Sequence, residues 1–79
     1  MVLTMTNLST SVAGELRAQM ARQRVTAVDL ADQTGESVFR IRRMLDGRVN
    51  LTVDDFGMLC EALGLSPVDV VVAALGVTS

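Results

Sequence analysis

Arginine is the residue type in this chain best suited to recognition chemistry, and three arginines stand close together near its middle. Residues 37–46, SVFRIRRMLD, contain Arg40, Arg42 and Arg43. A guanidinium group presents a planar fork of donors that matches the paired acceptors of a phosphate or of a guanine edge. The chemistry that this stretch predicts is therefore hydrogen bonding to nucleic acid.

The element that must position these arginines is a short helix that begins after Ser37. Because successive helical residues rotate by about 100°, one side of this helix is apolar and the other carries the arginines. The apolar side comprises Val38, Ile41, Met44 and Leu45, and the outward side comprises Phe39, Arg42, Arg43 and Asp46, with Arg40 towards its edge. One side is expected to pack and the other to face solvent.

A second short helix precedes the arginine-bearing one. It contains Ala27, Val28, Leu30 and Ala31. Gly35 supplies a turn residue that adopts left-handed backbone without a steric penalty, Ser37 is a suitable N-cap, and Gly47 ends the second helix. Residues 26–47 therefore predict a helix-turn-helix.

The other helix starts provide a comparison. Three of them place aspartate three residues after a hydroxyl residue, as in a capping box: Thr26 with Asp29, Thr52 with Asp55, and Ser66 with Asp69. The helix after Ser37 has Arg40 at that position instead, although a cation near a helix start is disfavoured by about 0.3–1 kcal/mol. Two interpretations stay open: Arg40 is left free for DNA, or it pairs with Glu36 four residues earlier.

Composition limits the class of protein. Seventy-nine residues make one domain, which buries only a modest fraction of its surface, so a partner subunit is expected to add stability. We expect a cytoplasmic protein, because no apolar run is long enough for a membrane span and the first residues do not resemble a signal peptide. The single cysteine, Cys60, is expected to be a buried structural thiol.

Charge is unevenly distributed along the chain. The net charge is −2, but all seven arginines lie within residues 11–50, while residues 51–79 contain acids and no base. The local field governs phosphate binding more than the total charge does. An enzyme is not expected, because histidine is absent and neither a metal-ligand cluster nor a glycine-rich phosphate loop is present, so we predict no metal and no cofactor.

The N-terminal part of the chain divides into an arm and a helix. Residues 1–10 carry no charged side chain, and we predict a flexible arm, with strand pairing between two subunits as an alternative. A helix is predicted from Ser11 to Arg22 or Arg24, because Val12, Leu16 and Met20 recur at helical spacing. Arg22 and Arg24 precede the Thr26 helix start, where they either contact phosphate or serve as ordinary solvating charges.

The C-terminal part contains two further helices. Arg48 and Asn50 follow Gly47 as candidate contacts to the DNA backbone, and a helix is predicted over residues 53–63. A last helix, over about residues 67–75, is apolar nearly all round, which favours a homodimer interface over complete burial in a monomer. The residues predicted to form this interface are Val68, Val71, Val72 and Leu75.

Residues 12–66 resemble the DNA-binding domains of the phage Cro and lambda-repressor-like family. The resemblance rests on residues 30–31, Gly35, Ser37, Ile41, Met44, Gly47, Phe56, Leu59 and residues 62–65. It implies an all-α, five-helix fold over residues 11–76. The chain departs from the family in having Ala27 in place of a phosphate-contacting glutamine, Glu36 after the turn glycine, and apolar Met20 and Leu45 in place of an ion pair.

The resemblance also implies a function and a set of contacts. Base contacts fall on Val38, Phe39, Arg42 and Arg43, and backbone contacts on Ser37, Arg40 and the start at Thr26. Phe39 is expected to touch thymine methyl groups, or else to pack on the preceding helix or on a protein partner. A dimer would place two such helices about 34 Å apart on a pseudo-palindromic double-stranded DNA site.

The expected function is a sequence-specific transcriptional regulator, namely a small phage-type repressor that acts by occupying its operator. We expect this mode of action because a single small domain leaves no room for a sensing or self-cleaving unit. The alternative is a protein-interaction module, such as an antitoxin or an adaptor, that uses the same fold.

Overall fold

Five α-helices make up most of the part of the chain that the structure describes. The computed structural model describes residues 9–47 and 51–76, and the predicted contacts at Arg48 and Asn50 and most of the predicted arm lie outside these ranges. The helices are α1 (Ser9–Gln23), α2 (Ala27–Thr34), α3 (Val38–Leu45), α4 (Val53–Leu63) and α5 (Pro67–Leu75). The predicted all-α, five-helix architecture is confirmed.

One apolar core joins all five helices. Leu16 of α1, Leu30 of α2, Ile41 of α3 and Leu59 of α4 are fully buried, and Val70 of α5 is 3% exposed. The predicted apolar side of α1 is confirmed, since Val12, Leu16 and Met20 are all buried. The core therefore holds the arginine-bearing helix against the rest of the domain by its apolar side.

Helix α1 begins two residues earlier than predicted, at Ser9. The reason is a buried contact: the Ser9 hydroxyl accepts a hydrogen bond from the backbone N–H of Leu51, at 3.0 Å. Leu51 is fully buried and precedes α4 by two residues. This contact therefore holds the first turn of α1 against the segment that leads into α4.

The helix starts follow the capping pattern with one exception. Thr26 and Asp29 form the predicted capping box, with N–H···O distances of 3.2 and 2.9 Å. The pKa of the Asp29 carboxyl is held below its usual value, chiefly by the hydrogen bond that the Thr26 backbone N–H donates to it and then by the nearby Thr26 hydroxyl. Ser37 and Thr52 each accept a hydrogen bond from the N–H three residues later.

The prediction of a side-chain cap at Ser66 was wrong. Ser66 makes no side-chain cap bond, and Pro67 occupies the first helical position after it. A proline restricts the backbone of the residue before it. The ψ angle of Ser66 is 125°, outside the 147–168° of the three residues whose side chains do cap a helix.

Helices α1 and α4 end in the same hydrogen-bonded motif. The N–H of Val25 bonds the carbonyl of Met20 at 2.9 Å, and the N–H of Leu65 bonds that of Cys60 at 2.8 Å. Each motif requires a left-handed residue after the helix. That residue is Gly64 after α4, with φ 69°, but it is Arg24 after α1, with φ 57°. Arg24 therefore carries a steric cost that Gly64 avoids.

Two polar side chains of α1 satisfy the ends of other helices. Arg17 donates from Nη1 to the carbonyl of Leu45, the last residue of α3. Gln23 donates from Nε2 to the carbonyl of Leu63, the last residue of α4, at 2.9 Å. Carbonyls at helix ends lack partners within their own helix. Helix α1 thus supplies hydrogen bonds to two other helices in addition to its apolar contacts.

The apolar surface of α5 is only partly covered. Val70 is buried, and Val71 and Ala74 pack against the core. Val68, Val72 and Leu75 are 70%, 42% and 54% exposed. Of residues 9–47 and 51–76, no single helix has the length and apolar composition to cross a membrane, although α4 and α5 together meet that test as a pair bent by 105°.

Cys60 lies in the core, as predicted. Its side chain is fully buried on α4. Burial disfavours the charged thiolate and raises the pKa of the Cys60 thiol to about 11. Near neutral pH the fraction of thiolate is therefore low, which leaves the Cys60 thiol unreactive. The buried side chain packs as an apolar group.

The matched motifs at Arg24 and Gly64 generate a stability prediction. Arg24→Gly should raise the free energy of unfolding by about 0.5–1 kcal/mol, since the relief of left-handed strain exceeds the extra backbone entropy of glycine. Gly64→Ala, which introduces the same strain after α4, should lower it by a similar amount. Urea denaturation of both variants measures this, and a destabilised Arg24→Gly protein would show that Arg24 carries no strain.

Candidate nucleic-acid interface

The turn between α2 and α3 is fixed by short-range hydrogen bonds. Gly35 has φ 77°, and its N–H bonds the carbonyl of Ala31 at 2.9 Å. The hydroxyl of Thr34 donates to the carbonyl of Leu30 at 2.7 Å and accepts from the N–H of Glu36 at 3.3 Å. These bonds determine the direction in which the chain enters α3.

Packing then determines which side of α3 faces outward. Ile41, Met44 and Leu45 are buried, as their spacing predicted. Gly47 follows with φ 73°, and a Cβ at that position would lie 3.3 Å from the Cα of Thr10. Glycine is therefore needed there both for its backbone conformation and for the close approach of α1. Because Ile41, Met44 and Leu45 are packed in the core, the opposite side of α3 faces solvent.

The exposed side of α3 contains an aromatic ring next to two arginines. Phe39 is 70% exposed, and Arg42 and Arg43 are exposed as well. The guanidinium carbon of Arg43 lies 5.6 Å from the centre of the Phe39 ring, within the range of a cation–π contact. Phe39 therefore does not pack back onto α2, and its ring restricts the positions open to Arg43.

Val38 does not share this exposed side. It is half-buried and packs against the core cluster. Val38 is therefore less exposed than Phe39, Arg42 and Arg43, and the base contact that the resemblance implies for it stays a prediction. The rotation of about 100° per residue places Val38 close to Leu45 and between Ile41 and Arg42, at the border of the apolar side. Its packing against the core cluster agrees with the apolar assignment from helical spacing.

Arg40 is paired within the domain. Its Nη1 lies 3.0 Å from Oε2 of Glu36, and its Nη2 lies 3.1 and 3.0 Å from the two carboxylate oxygens of Asp55. The hydrogen bonds that Arg40 donates to Asp55, more than its contact with Glu36, raise the pKa of Arg40. The interpretation that the start of α3 is left as a free cation was wrong, and the alternative pairing with Glu36 is present.

Asp55 is the partner of Arg40 that the sequence did not reveal. Its position three residues after Thr52 indicated a capping box for α4, and its own N–H does bond the Thr52 hydroxyl. Its carboxylate instead bonds Arg40, which is 15 residues away in the chain. The ion pair joins the first turn of α3 to the first turn of α4. A local pattern therefore hid a longer-range contact.

The remaining candidate contacts lie at helix starts and at one helix end. Thr26 and Ser37 are exposed, and their hydroxyls are engaged as caps of α2 and α3. Arg22 lies in the last turn of α1, and Arg24 immediately follows that helix. Both arginines are exposed near the start of α2. In the described part of the chain, no group of three or more acids or cysteines could hold a metal ion.

The arrangement of these helices is similar to that of known proteins. A family model described as a helix-turn-helix domain matches residues 11–75. Two crystal structures of the clp gene regulator ClgR from Corynebacterium glutamicum are similar to the chain. One is 28% identical, with a TM-score of 0.82, covering 91% of this chain and 94% of that chain. The other is 29% identical, with a TM-score of 0.81, covering 87% and 73%.

No curated protein matches the chain. The matched residues 11–75 include the turn at Gly35, the buried side of α3 and its exposed arginines. The chain therefore belongs to the helix-turn-helix domain family.

Proposed function

We propose that this chain is a sequence-specific repressor that lays α3 in the major groove of double-stranded DNA and acts by occupying its operator. The helix-turn-helix domain and the likeness to the gene regulator ClgR support the broader description, a DNA-binding transcriptional regulator. The observation that carries the proposal is the exposed side of α3, where Phe39, Arg42 and Arg43 project from a helix whose other side is buried.

Base reading is assigned to Arg43 and Phe39. The cation–π contact keeps the Arg43 guanidinium beside the ring, so fewer side-chain rotamers are lost when it bonds the two acceptors of a guanine. The exposed ring of Phe39 is suited to contact a thymine methyl group on a neighbouring base pair. Arg42 is exposed and has no such ring contact in the structure, and we assign it a contact with DNA as well.

Phosphate binding is assigned to the junction of α1 and α2. Arg22 and Arg24 are exposed there, next to the capped start of α2 at Thr26. Strained backbone at a non-glycine residue is often retained for function. The left-handed Arg24, beside a helix start whose dipole favours anions, fits a phosphate contact. Arg48 and Asn50 stay predicted backbone contacts outside the described residues.

A homodimer on a pseudo-palindromic operator completes the proposal. The exposed apolar side chains of α5, at Val68, Val72 and Leu75, support self-association, because their burial would remove apolar surface from water. Val71, which we also predicted there, is half-buried and packs on the core. The phage-type, Cro-like character is supported by the resemblance of residues 12–66 to that group.

A protein-interaction module is the second candidate. The observation that favours it is the exposure of Phe39 and of the α5 side chains, since exposed apolar groups also mark protein interfaces. The two functions differ in salt dependence. Arginine–phosphate contacts release counterions, so affinity for a duplex selected from a random pool should fall steeply as salt rises. Absent or salt-insensitive binding would favour the interaction module.

The first prediction that follows from the proposed function concerns base reading by Arg43. Arg43→Ala should remove about 1–3 kcal/mol of discrimination at one base pair of the selected site, because a bidentate guanine contact is lost. Arg24→Gly should instead weaken binding evenly across sequences and reduce the salt slope by about one. Titrations of matched and mismatched duplexes measure both effects. Equal losses for matched and mismatched sites in Arg43→Ala would contradict the assignment.

The second prediction concerns the pairing of Arg40. Asp55→Ala removes the two hydrogen bonds to Asp55 and leaves Arg40 with only its exposed pair to Glu36, so Arg40 should become available to phosphate and steepen the salt dependence of DNA binding by up to about one unit of slope. Asp54→Ala is the matched control, since Asp54 is an exposed acid that removes the same charge without releasing Arg40. The slopes of both variants are measured on one duplex. An identical slope in the two variants would mean that Arg40 does not reach DNA when released.

The third prediction concerns dimer formation through α5. Leu75→Asp should lower both the mass in solution and the affinity for the operator, because a carboxylate is buried unpaired in the proposed interface. Ala73→Asp is the control, since Ala73 is exposed on α5 but lies off the side that Val68, Val72 and Leu75 share. Analytical ultracentrifugation gives the mass. An unchanged mass for Leu75→Asp would exclude this interface.

A further inference from the structure

One arginine of α1 is bonded to the end of α3. Nη1 of Arg17 donates to the backbone carbonyl of Leu45, the last residue of α3, which lies 28 positions away in the sequence. Carbonyls in the last turn of a helix lack partners within that helix, and a cation is favoured at the negative end of the helix dipole. Arg17 therefore satisfies a carbonyl and places its charge where the dipole of α3 favours it.

Helix α1 closely approaches the end of α3 around this bond. A Cβ added at Gly14 would lie 3.7 Å from Nη2 of Arg17, so the guanidinium group lies beside the preceding turn of α1. A Cβ added at Gly47, shortly after Leu45, would lie 3.3 Å from the Cα of Thr10. The Arg17 bond is therefore part of a close contact between α1 and the end of α3.

The two helices that this bond joins carry different parts of the proposed DNA contact. Arg42 and Arg43 project from α3 and are assigned to the bases. Arg22 lies in the last turn of α1 and Arg24 follows that helix, and both are assigned to phosphate. Phosphate contacts fix the register of a protein on the duplex, whereas base contacts read the sequence. Both sets can form together only if α1 and α3 keep one relative position.

Apolar packing alone holds α3 less precisely than a hydrogen bond does. Burial of apolar surface has no preferred direction, whereas a hydrogen bond weakens steeply as its angle departs from linear. Side chains that bind a defined partner must be held to within about 0.5 Å of their working position. Given the proposed function, on which this role rests, we propose that Arg17 is a positioning residue for base reading. It fixes the end of α3 relative to the phosphate-binding arginines and does not itself touch DNA.

Gln23 provides a matched control for Arg17. It also lies on α1, and its Nε2 donates to the carbonyl of Leu63, the last residue of α4, at 2.9 Å. Arg17→Met and Gln23→Met each remove one bond from α1 to the end of another helix and keep an unbranched side chain. Only the Arg17 bond ends on the helix that is assigned to the bases.

The measurement is the ratio of dissociation constants for two duplexes, at a temperature where urea titration shows each variant to be folded. One duplex is selected from a random pool, and the other is changed at one base pair that the unchanged protein discriminates. Arg17→Met should lower this ratio by about fivefold, because displacement of α3 misaligns a bidentate base contact. Gln23→Met should leave the ratio unchanged, since any effect on stability or on phosphate contacts weakens both duplexes equally.

The salt slope distinguishes positioning from a direct phosphate contact. Arg17→Met should leave the slope unchanged, whereas a slope reduced by about one would make Arg17 a phosphate ligand and overturn the proposal. Equal loss of the ratio in Arg17→Met and Gln23→Met would also overturn it.

Arg17→Lys covers the case in which Arg17→Met does not fold. Lysine keeps the charge, but its single ammonium on a shorter stem lacks the fixed fork of arginine, so the ratio should fall by a smaller factor. An unchanged ratio in Arg17→Met, or in Arg17→Lys if the first variant is unfolded, would overturn the positioning role and leave the proposed function standing. Failure of the unchanged protein to discriminate any duplex would overturn both.

Discussion

The constraint on which this fold depends is the number of unsatisfied backbone groups at the ends of very short helices. Helices α2 and α3 have eight residues each, and the first four N–H groups and last four carbonyls of any helix lack partners within it. Helices of this length are marginal when isolated. Caps at Thr26 and Ser37 and the bond from Arg17 to Leu45 supply some of the missing partners, while burial of Leu30 and Ile41 provides the packing.

This constraint explains which parts of the structure were predictable from the sequence. Caps and turns depend on residues within a few positions of each other, so the capping box at Thr26 and the left-handed Gly35 were visible in advance. The bonds from Arg17 and Gln23 to carbonyls span 28 and 40 residues, and no local pattern signals them. Arg24 was also hidden, because its left-handed backbone is typical of glycine and asparagine.

In the candidate interface too, the features that depend on nearby residues were predictable and the long-range contacts were not. Helical spacing predicted the exposure of Phe39, Arg42 and Arg43 and the burial of Ile41. Spacing placed Val38 on the apolar side and the resemblance placed it outward, and its half-buried position at the border of the two sides is consistent with parts of both. The state of Arg40 depends on Asp55, which approaches it only once α3 and α4 have both packed against α1 and α2. An ion pair between two helices therefore cannot be predicted without the tertiary structure.

The pairing of Arg40 changes the physical basis of recognition in the proposed repressor. A free cation at the start of α3 would attract any phosphate and so raise nonspecific affinity, which competes with operator binding across a genome. With Arg40 held by Glu36 and Asp55, and with a net charge of −2, that general attraction is reduced. The contact between Arg43 and Phe39 restricts the arginine before binding, which lowers the entropy lost on contact with a base. Discrimination in such a domain depends on geometry on the exposed side of α3 more than on total charge.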